Sequence, residues 1–277
     1  MKAIFLAALI FSVLSFKVQS QSLIPFKKID TLQFKVKYDL VFQPDSTDYQ
    51  TSSEVMILLV GMNSSIFMSY NTFRMDSIMM SIKNDAEFQH FRTSHLRQQS
   101  SMPRFFYRIH KNYPAGEVTF TDIIMPNFFQ YAESYASFNW KLTESKKRFK
   151  GYDLQNATTY YGGREWNAWF TTSIPIMEGP YKFAGLPGLI ISISDSEGHY
   201  RFSLTSLERP LENEYIKIPL DLNPIRTTRE KFLKSYLEYT QNPYHAMEGL
   251  IEADPLDIEV RRRQTLRRNN PIELKAD

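Results

Sequence analysis

The 277 residues include no cysteine. That absence excludes a disulfide framework, a thiolate metal site and a lipid attached through a lipobox cysteine, so the fold has to rest on its packed core. After residue 16 no run approaches the roughly 20 apolar residues that a membrane-spanning helix needs. An excess of one charge is missing too: 33 Lys and Arg stand against 30 Asp and Glu. Without Lys2 and Lys17, which precede the expected cleavage site, 31 cations face 30 anions, and a global nucleic-acid footprint is absent. There is no Gly-x-Ser-x-Gly elbow, no His-Glu-x-x-His, no Walker loop and no Gly-x-Gly-x-x-Gly. Most familiar reaction classes thereby lose their usual signature, and neither a cofactor nor a metal is expected.

What is present begins with a leader. Met1-Lys2, the uncharged run from Ala3 to Phe16, and Val18-Gln19-Ser20 follow the pattern of a secretory signal peptide. Lys17 breaks the apolar run after fourteen residues, too few to span a bilayer. The mature chain is expected to start near Gln21, cleaved near Ser20, in the periplasm or outside the cell. The remainder is long enough for one large β domain. It is rich in rings, with 21 Phe and 16 Tyr in the whole chain, and aromatics favour strands. Arg261, Arg262, Arg263, Arg267 and Arg268 form a basic cluster, read as a solvated end in preference to an anionic-surface contact. The expected organisation is a signal peptide at 1–20, one β-rich domain at 21–260 and a basic tail at 261–277.

Alternation with period two is the clearest pattern. Phe34, Val36, Tyr38, Leu40 and Phe42 share one face, with Lys35, Lys37 and Asp39 on the other. Similar alternation recurs at Phe105/Tyr107/Ile109, Val118/Phe120, Trp166/Ala168/Phe170 and Tyr200/Phe202/Leu204. Val55–Val60 and Ile66–Tyr70 flank Gly61-Met62-Asn63-Ser64 as a hairpin. Helical spacing shows in Met75, Ile78, Met79 and Ile82, within 71–96, and again over 227–239. In the second stretch Thr227 or Thr228 can cap and Phe232, Leu233, Tyr236 and Leu237 make a stripe. The expectation is a mainly β fold: a single curved antiparallel sheet, half-barrel or sandwich-like, with two or three covering helices.

Seven of the ten glycines lie between 151 and 198 and all three tryptophans between 140 and 169, so the tight backbone geometry concentrates there. In that region stand Trp140, Gly151-Tyr152, Ala157, Gly163-Arg164, Ala168-Trp169-Phe170, Ile174-Pro175, Gly179-Pro180 and Gly185-Leu186-Pro187-Gly188-Leu189-Ile190. In order and approximate spacing they resemble the GLPGLI family of exported bacterial proteins, and "SSIFMSY" at 64–70 and "NNPIEL" at 269–274 extend the resemblance over nearly the whole mature chain. Many relatives carry a cysteine after the Gly-Tyr step; here Leu154 and Gln155 occupy that neighbourhood, so its role elsewhere is not essential to this chain. The resemblance implies an envelope or secreted location in a Bacteroidetes-type bacterium and no assigned activity. A leader, amphipathic strands and few helices also resemble the half-barrel of periplasmic lipoprotein carriers, whose sheet leaves an apolar groove. The plainer reading, that the rings fill an ordinary core, is favoured.

Candidate chemistry is sparse. His90 and His95 are five residues apart and diverge on a helix or a strand, which disfavours a shared metal. His199 follows Asp195 and Glu197, but the composition "DSEGH" reads as a turn around Gly198 before it reads as a catalytic site. Arg164 sits beside an aromatic run and could stack, pair with Glu165 or Glu178, or hold an anionic ligand. A ligand pocket is therefore sought around Arg164, Trp166, Trp169, Tyr181 and Phe183. The Gly185–Ile190 motif is read as structural, since Pro187 removes an amide donor that a phosphate cradle needs.

The function expected is a non-enzymatic binding, carrier or assembly module. Its partner would be an apolar small molecule, lipid or peptide, or an outer-membrane or envelope protein. The alternatives are an enzyme with an unfamiliar site near Arg164 and His199, and a purely structural envelope component.

Overall fold

The computed structural model describes residues 25–95, 102–135, 138–220, 222–243 and 255–276; the leader expected at 1–20 lies outside them. The alternation at 34–42 becomes β1 (Phe26–Phe42), in which Val36, Tyr38, Leu40 and Phe42 are buried. The expected hairpin is β2 (Ser52–Gly61) and β3 (Ser65–Ser69). Then follow β4 (Arg108–Lys111), β5 (Glu117–Ile124) and β6 (Asn127–Ser134). A second run contains β7 (Lys141–Phe149), β8 (Tyr152–Tyr161), β9 (Arg164–Thr171), β10 (Leu189–Asp195) and β11 (Tyr200–Glu208). Two short strands complete the set, β12 (Tyr215–Pro219) and β13 (Ile225–Arg226).

The strands form one sheet of two meanders. β1 to β6 run in sequence order on one side and β7 to β11 on the other, and β1 joins them by pairing with β11, Leu40 opposite Phe202 and Phe42 opposite Tyr200. Every pair is antiparallel except the two-residue β13, parallel to β6; β12 pairs the first half of β1. In strand order β6 and β8 are nine places apart, which in a flat sheet would separate them by about 43 Å. Yet Tyr161 Oη at the end of β8 donates to Glu133 Oε1 of β6 at 3.2 Å. The sheet is therefore strongly curled, and because its end strands β7 and β13 do not pair with each other among the described residues it stays open. Register shifts in β1 at Lys37/Tyr38 and between β10 and β9 at Ile190/Ser192 add local bends.

Burial follows from that curl. The concave side holds the main core, where Phe67 meets Phe202 with ring centroids 6.0 Å apart, three strands away. A smaller cluster, Ile57, Leu59, Ile66, Met68 and Ile216, lies on the convex side. This explains why β2 reads as an unbroken apolar run: Met56, Leu58 and Val60 serve one face, Ile57 and Leu59 the other.

Four helices are described: α1 (Tyr70–Met79), α2 (Asp85–His95), α3 (Arg229–Gln241) and α4 (Pro255–Leu266). Ser69 Oγ caps α1 by accepting from Asn71 N–H, and Thr228 Oγ1 caps α3 by accepting from Lys231 N–H. α1 packs on β2 and β3, α3 on β5 and β6, and α4 on α3. No helix among the described residues is long and apolar enough to cross a membrane. One expectation changes: residues 261–266 belong to α4, and the following segment turns back into the sheet, where Asn270 and Glu273 are buried. Its polar letters hid this, because each pairs with a partner distant in sequence.

Candidate functional site

The connection from β9 to β10 is built around a lysine. Lys111 of β4 is fully buried and its ammonium donates to Glu178 Oε2 at 2.8 Å and to the carbonyls of Gly179 and Phe183 at 2.8 and 3.0 Å. Those three acceptors offset the desolvation of the cation and fix the loop on the concave face. The motif that follows is a backbone contact. A Cβ on Gly188 would lie 2.0 Å from Thr171 O, so only glycine lets β10 start against the end of β9.

Beyond Gly179 the loop delivers Tyr181 and Lys182 to β6. Lys182 Nζ reaches the hydroxyls of Tyr131 and Tyr161 at 2.9 and 3.0 Å, Glu133 at 2.5 Å and Glu273 at 2.8 Å. Glu273 also accepts from Arg229 Nε of α3 at 2.7 Å and from Tyr181 Oη. Burial by itself pushes the Glu273 carboxyl up, but the charges of Lys182 and Arg229 outweigh it and hold the group below the usual carboxylate range. The same segment is fastened at its other end by Arg164, 5% exposed. Its Nη2 donates to Asn270 Oδ1 at 2.6 Å and Pro271 O at 2.8 Å, its Nε to Ile272 O at 3.1 Å and its Nη1 to Asp195 Oδ2 at 2.8 Å. Tyr200 Oη donates to Asn270 O, and Asn270 Nδ2 to Gln43 O. Residues 269–275 thus form a strap across the concave side.

Between the strap, α3, the segment 102–107 that leads into β4, and the strands β5 and β6 lies a cavity of about 440 Å³. Its walls are mainly rings. Phe120 stacks on Tyr131 with centroids 5.0 Å apart, meets Phe232 edge-on at 5.4 Å and lies 5.7 Å from Tyr107. Tyr236 of α3 and Phe105 complete the surface, with Arg104 and Arg268, both exposed, also lining it.

Two polar groups on this wall are under-used. Tyr107 Oη is buried and has no hydrogen-bonding partner among the described residues. Asp122, half-buried, accepts the N–H of its neighbour Ile123 at 2.8 Å and makes no ion pair among the described residues. Burial pushes the Asp122 carboxyl up to about 7, against the opposing pull of the Ile123 N–H and the Arg108 charge. Arg108 is itself engaged, donating to Asp76 at 2.8 Å. The sequence signal for Asp122 was the alternation Val118/Phe120: two residues further along, the same face carries a carboxylate where an apolar side chain is due.

The five residues sought as a ligand pocket separate. Tyr181 lines the cavity. Trp166 and Phe183 pack against each other in the core, ring centroids 4.7 Å apart, with Trp166 Nε1 donating to Tyr161 O. Trp169, an odd number of residues from Trp166 along β9, points to the opposite face, where Lys147 Nζ sits 4.0 Å from its ring centroid. Arg164 is held by the strap and Asp195 and does not line the cavity. His199 lies beside it, Nδ1 accepting from Arg164 Nη1 at 3.2 Å and 3.4 Å from Glu197, also away from the cavity. Of the pair His90 and His95, the side chain of His95 falls outside the described residues.

Residues 131–192, from β6 to β10 and including Gly185 to Ile190, match a family described as "Protein of unknown function (Porph_ging)". No curated protein matches the chain. Among solved structures, PNGF-II in the C2 space group is similar at a TM-score of 0.50 and 12% identity, over 74% of this chain and 32% of that one. PNGF-II in the P21 space group gives 0.49 and 12%, over 74% and 33%. The chain therefore spans about a third of the length of these structures, and at such identity the likeness concerns the fold alone. A LolA superfamily protein from Nitrosomonas europaea, NE2245, is similar at a TM-score of 0.27 and 8% identity, over 67% of this chain and 90% of that one.

Proposed function

We propose that this chain is an exported, non-enzymatic binding protein that holds an apolar or amphipathic small molecule in the cavity beneath α3 and the strap. The observation that carries the reading is the cavity itself. At about 440 Å³ it falls within the roughly 300–1,000 Å³ of small-molecule sites, and its wall is aromatic with few polar groups, as such sites are. The cluster of Arg164, Asp195 and His199, the alternative centre for catalysis, spends its hydrogen bonds on Asn270, Pro271 and Ile272 and stands apart from the cavity. On this reading residues 21–276 act as one unit whose last residues complete the binding wall. Of the residues read from sequence as ligand-binding, Tyr181 is the one assigned to the ligand.

The test has two parts. N-terminal sequencing of the protein recovered from the cell envelope should start near Gln21. N-phenyl-1-naphthylamine, an uncharged fluorescent probe, should bind the mature chain saturably at one site. Leu233→Trp, which fills the cavity from α3, should abolish that binding with the circular dichroism spectrum unchanged. Unsaturable binding, or full binding by Leu233→Trp, would overturn the reading.

A further inference from the structure

We infer that the ligand of this cavity carries a cationic nitrogen on an apolar body, an alkyl ammonium, seated against the Asp122 carboxylate among the rings of Tyr107, Phe120 and Tyr236. The inference rests on the cavity being the binding site and adds the chemical class of what it takes. Asp122 occupies an inward position of β5, in register with Val118 and Phe120, where a carboxylate loses part of its water without gaining a counter-ion among the described residues. An ionised carboxylate offers about four acceptor sites, and one is used, by the Ile123 N–H. Aromatic faces are electronegative, so the surrounding rings repel a second anion and attract a cation. Tyr107 Oη, buried with no partner among the described residues, adds an oxygen at the same wall. Rings and a carboxylate around one space are the combination that recognises ammonium groups.

Charges on the neighbouring elements fit this assignment. Arg108 of β4 is paired with Asp76. Arg104 and Arg268 are exposed on the cavity lining, with Arg104 Nη1 near Ser52 Oγ at 3.4 Å, and hydrated guanidinium groups lack nothing that a ligand must supply. Tyr236 of α3 lines the cavity with Asp122, whose charge pushes the Tyr236 phenol up after the larger effect of burial, while the Tyr107 phenol is pushed up by burial first, then by Glu54 and Tyr200, and last by Asp122. Glu273, on the strap, is neutralised by Lys182 and Arg229. Among the described residues of the wall the inward charge left without a partner is the Asp122 carboxylate, and with its proton affinity raised to about 7, ammonium binding should strengthen between about pH 6 and pH 8 as it ionises.

Isothermal titration of the mature chain with decyltrimethylammonium, decanol and decanoate, each below its micelle concentration, tests this. Decyltrimethylammonium should bind about tenfold tighter or better than either competitor at about pH 8, with the preference shrinking at about pH 6. Asp122→Asn should erase the preference for the ammonium over decanol. Equal or weaker binding of the ammonium, a preference that ignores pH, or one that survives in Asp122→Asn would overturn the inference and leave the cavity reading standing. Should the variant not fold, the pH series on the unmodified protein decides. If none of the three compounds binds, the cavity reading falls and this inference with it.

Discussion

Arg164 and Asn270, 106 positions apart in the chain, meet at 2.6 Å, the guanidinium donating to the amide oxygen. The same guanidinium holds the next two carbonyls and the Asp195 carboxylate, so one planar fork ties β9, β10 and the strap together. Three parts of the molecule depend on it.

Arg164→Ala leaves Asp195, 3% exposed, without its counter-charge. Breaking a buried pair from one side costs about 3–5 kcal/mol. Urea denaturation at neutral pH should show a loss of that order. Arg164→Lys should recover less than half, because a single ammonium cannot span five acceptors in different directions. A loss below about 1 kcal/mol would show that the fork contributes no more than a surface pair does.

Glu273 makes the strap acid-sensitive. Its folded-state proton affinity is depressed, so its contribution is fully present above the ordinary carboxylate pKa of 4.5 and disappears as pH falls through the lower folded value. Glu273→Gln should destabilise the protein at pH 7 by about 3 kcal/mol or more, since Lys182 and Arg229 keep their charges. The gap from the parent should close below about pH 4. Melting curves that run parallel down to about pH 3 would contradict the assignment.

Asp122 carries the opposite sign. Its proton affinity is raised in the folded state, so its neutral form favours folding. That contribution is complete below the ordinary 3.8 and is lost as pH rises to about 7, at no more than about 1.4 kcal/mol per unit. In the ligand-free protein Asp122→Asn should remove this falling limb, gaining stability relative to the parent at about pH 8 and little at about pH 4. Identical pH profiles for the two proteins would place the carboxyl in water.

The two glycines of one motif should behave differently. At Gly188 a Cβ would collide with the Thr171 carbonyl, while at Gly185, with φ of 89°, nothing lies within 4 Å. Gly185→Ala should cost about 1–2 kcal/mol, the penalty of a left-handed backbone. Gly188→Ala requires β9 and β10 to part and should cost on the order of 4 kcal/mol or prevent folding. Equal costs at the two positions, read from thermal melts, would refute the close-contact role of Gly188.

One-sided burial made the long strands readable. Val36, Tyr38, Leu40 and Phe42 alternate with charges because one face of β1 meets the core, and the caps of α1 and α3 act within three residues. The strap was unreadable for the converse reason. Asn270 and Glu273 look like surface residues until Arg164, Tyr200, Lys182 and Arg229 are brought to them from distant strands and a helix. Local spacing also placed Trp166 and Trp169 in one pocket, although three residues along a strand reverses the face. Tyr181, which lines the cavity, drew notice because it sits beside the glycines that shape the loop, whereas Asp122 interrupts an apolar face that the reading of β5 stopped short of.

The strap also orders events in time. Asn270 is fastened to Gln43, 227 positions earlier, and Glu273 to a helix and a loop that are made well before it. The sheet can curl as its strands arrive, but the cavity has no far wall until residue 273 has been synthesised. A molecule of the class proposed above would therefore meet a complete wall only once synthesis has passed residue 273, and not on a shorter nascent chain.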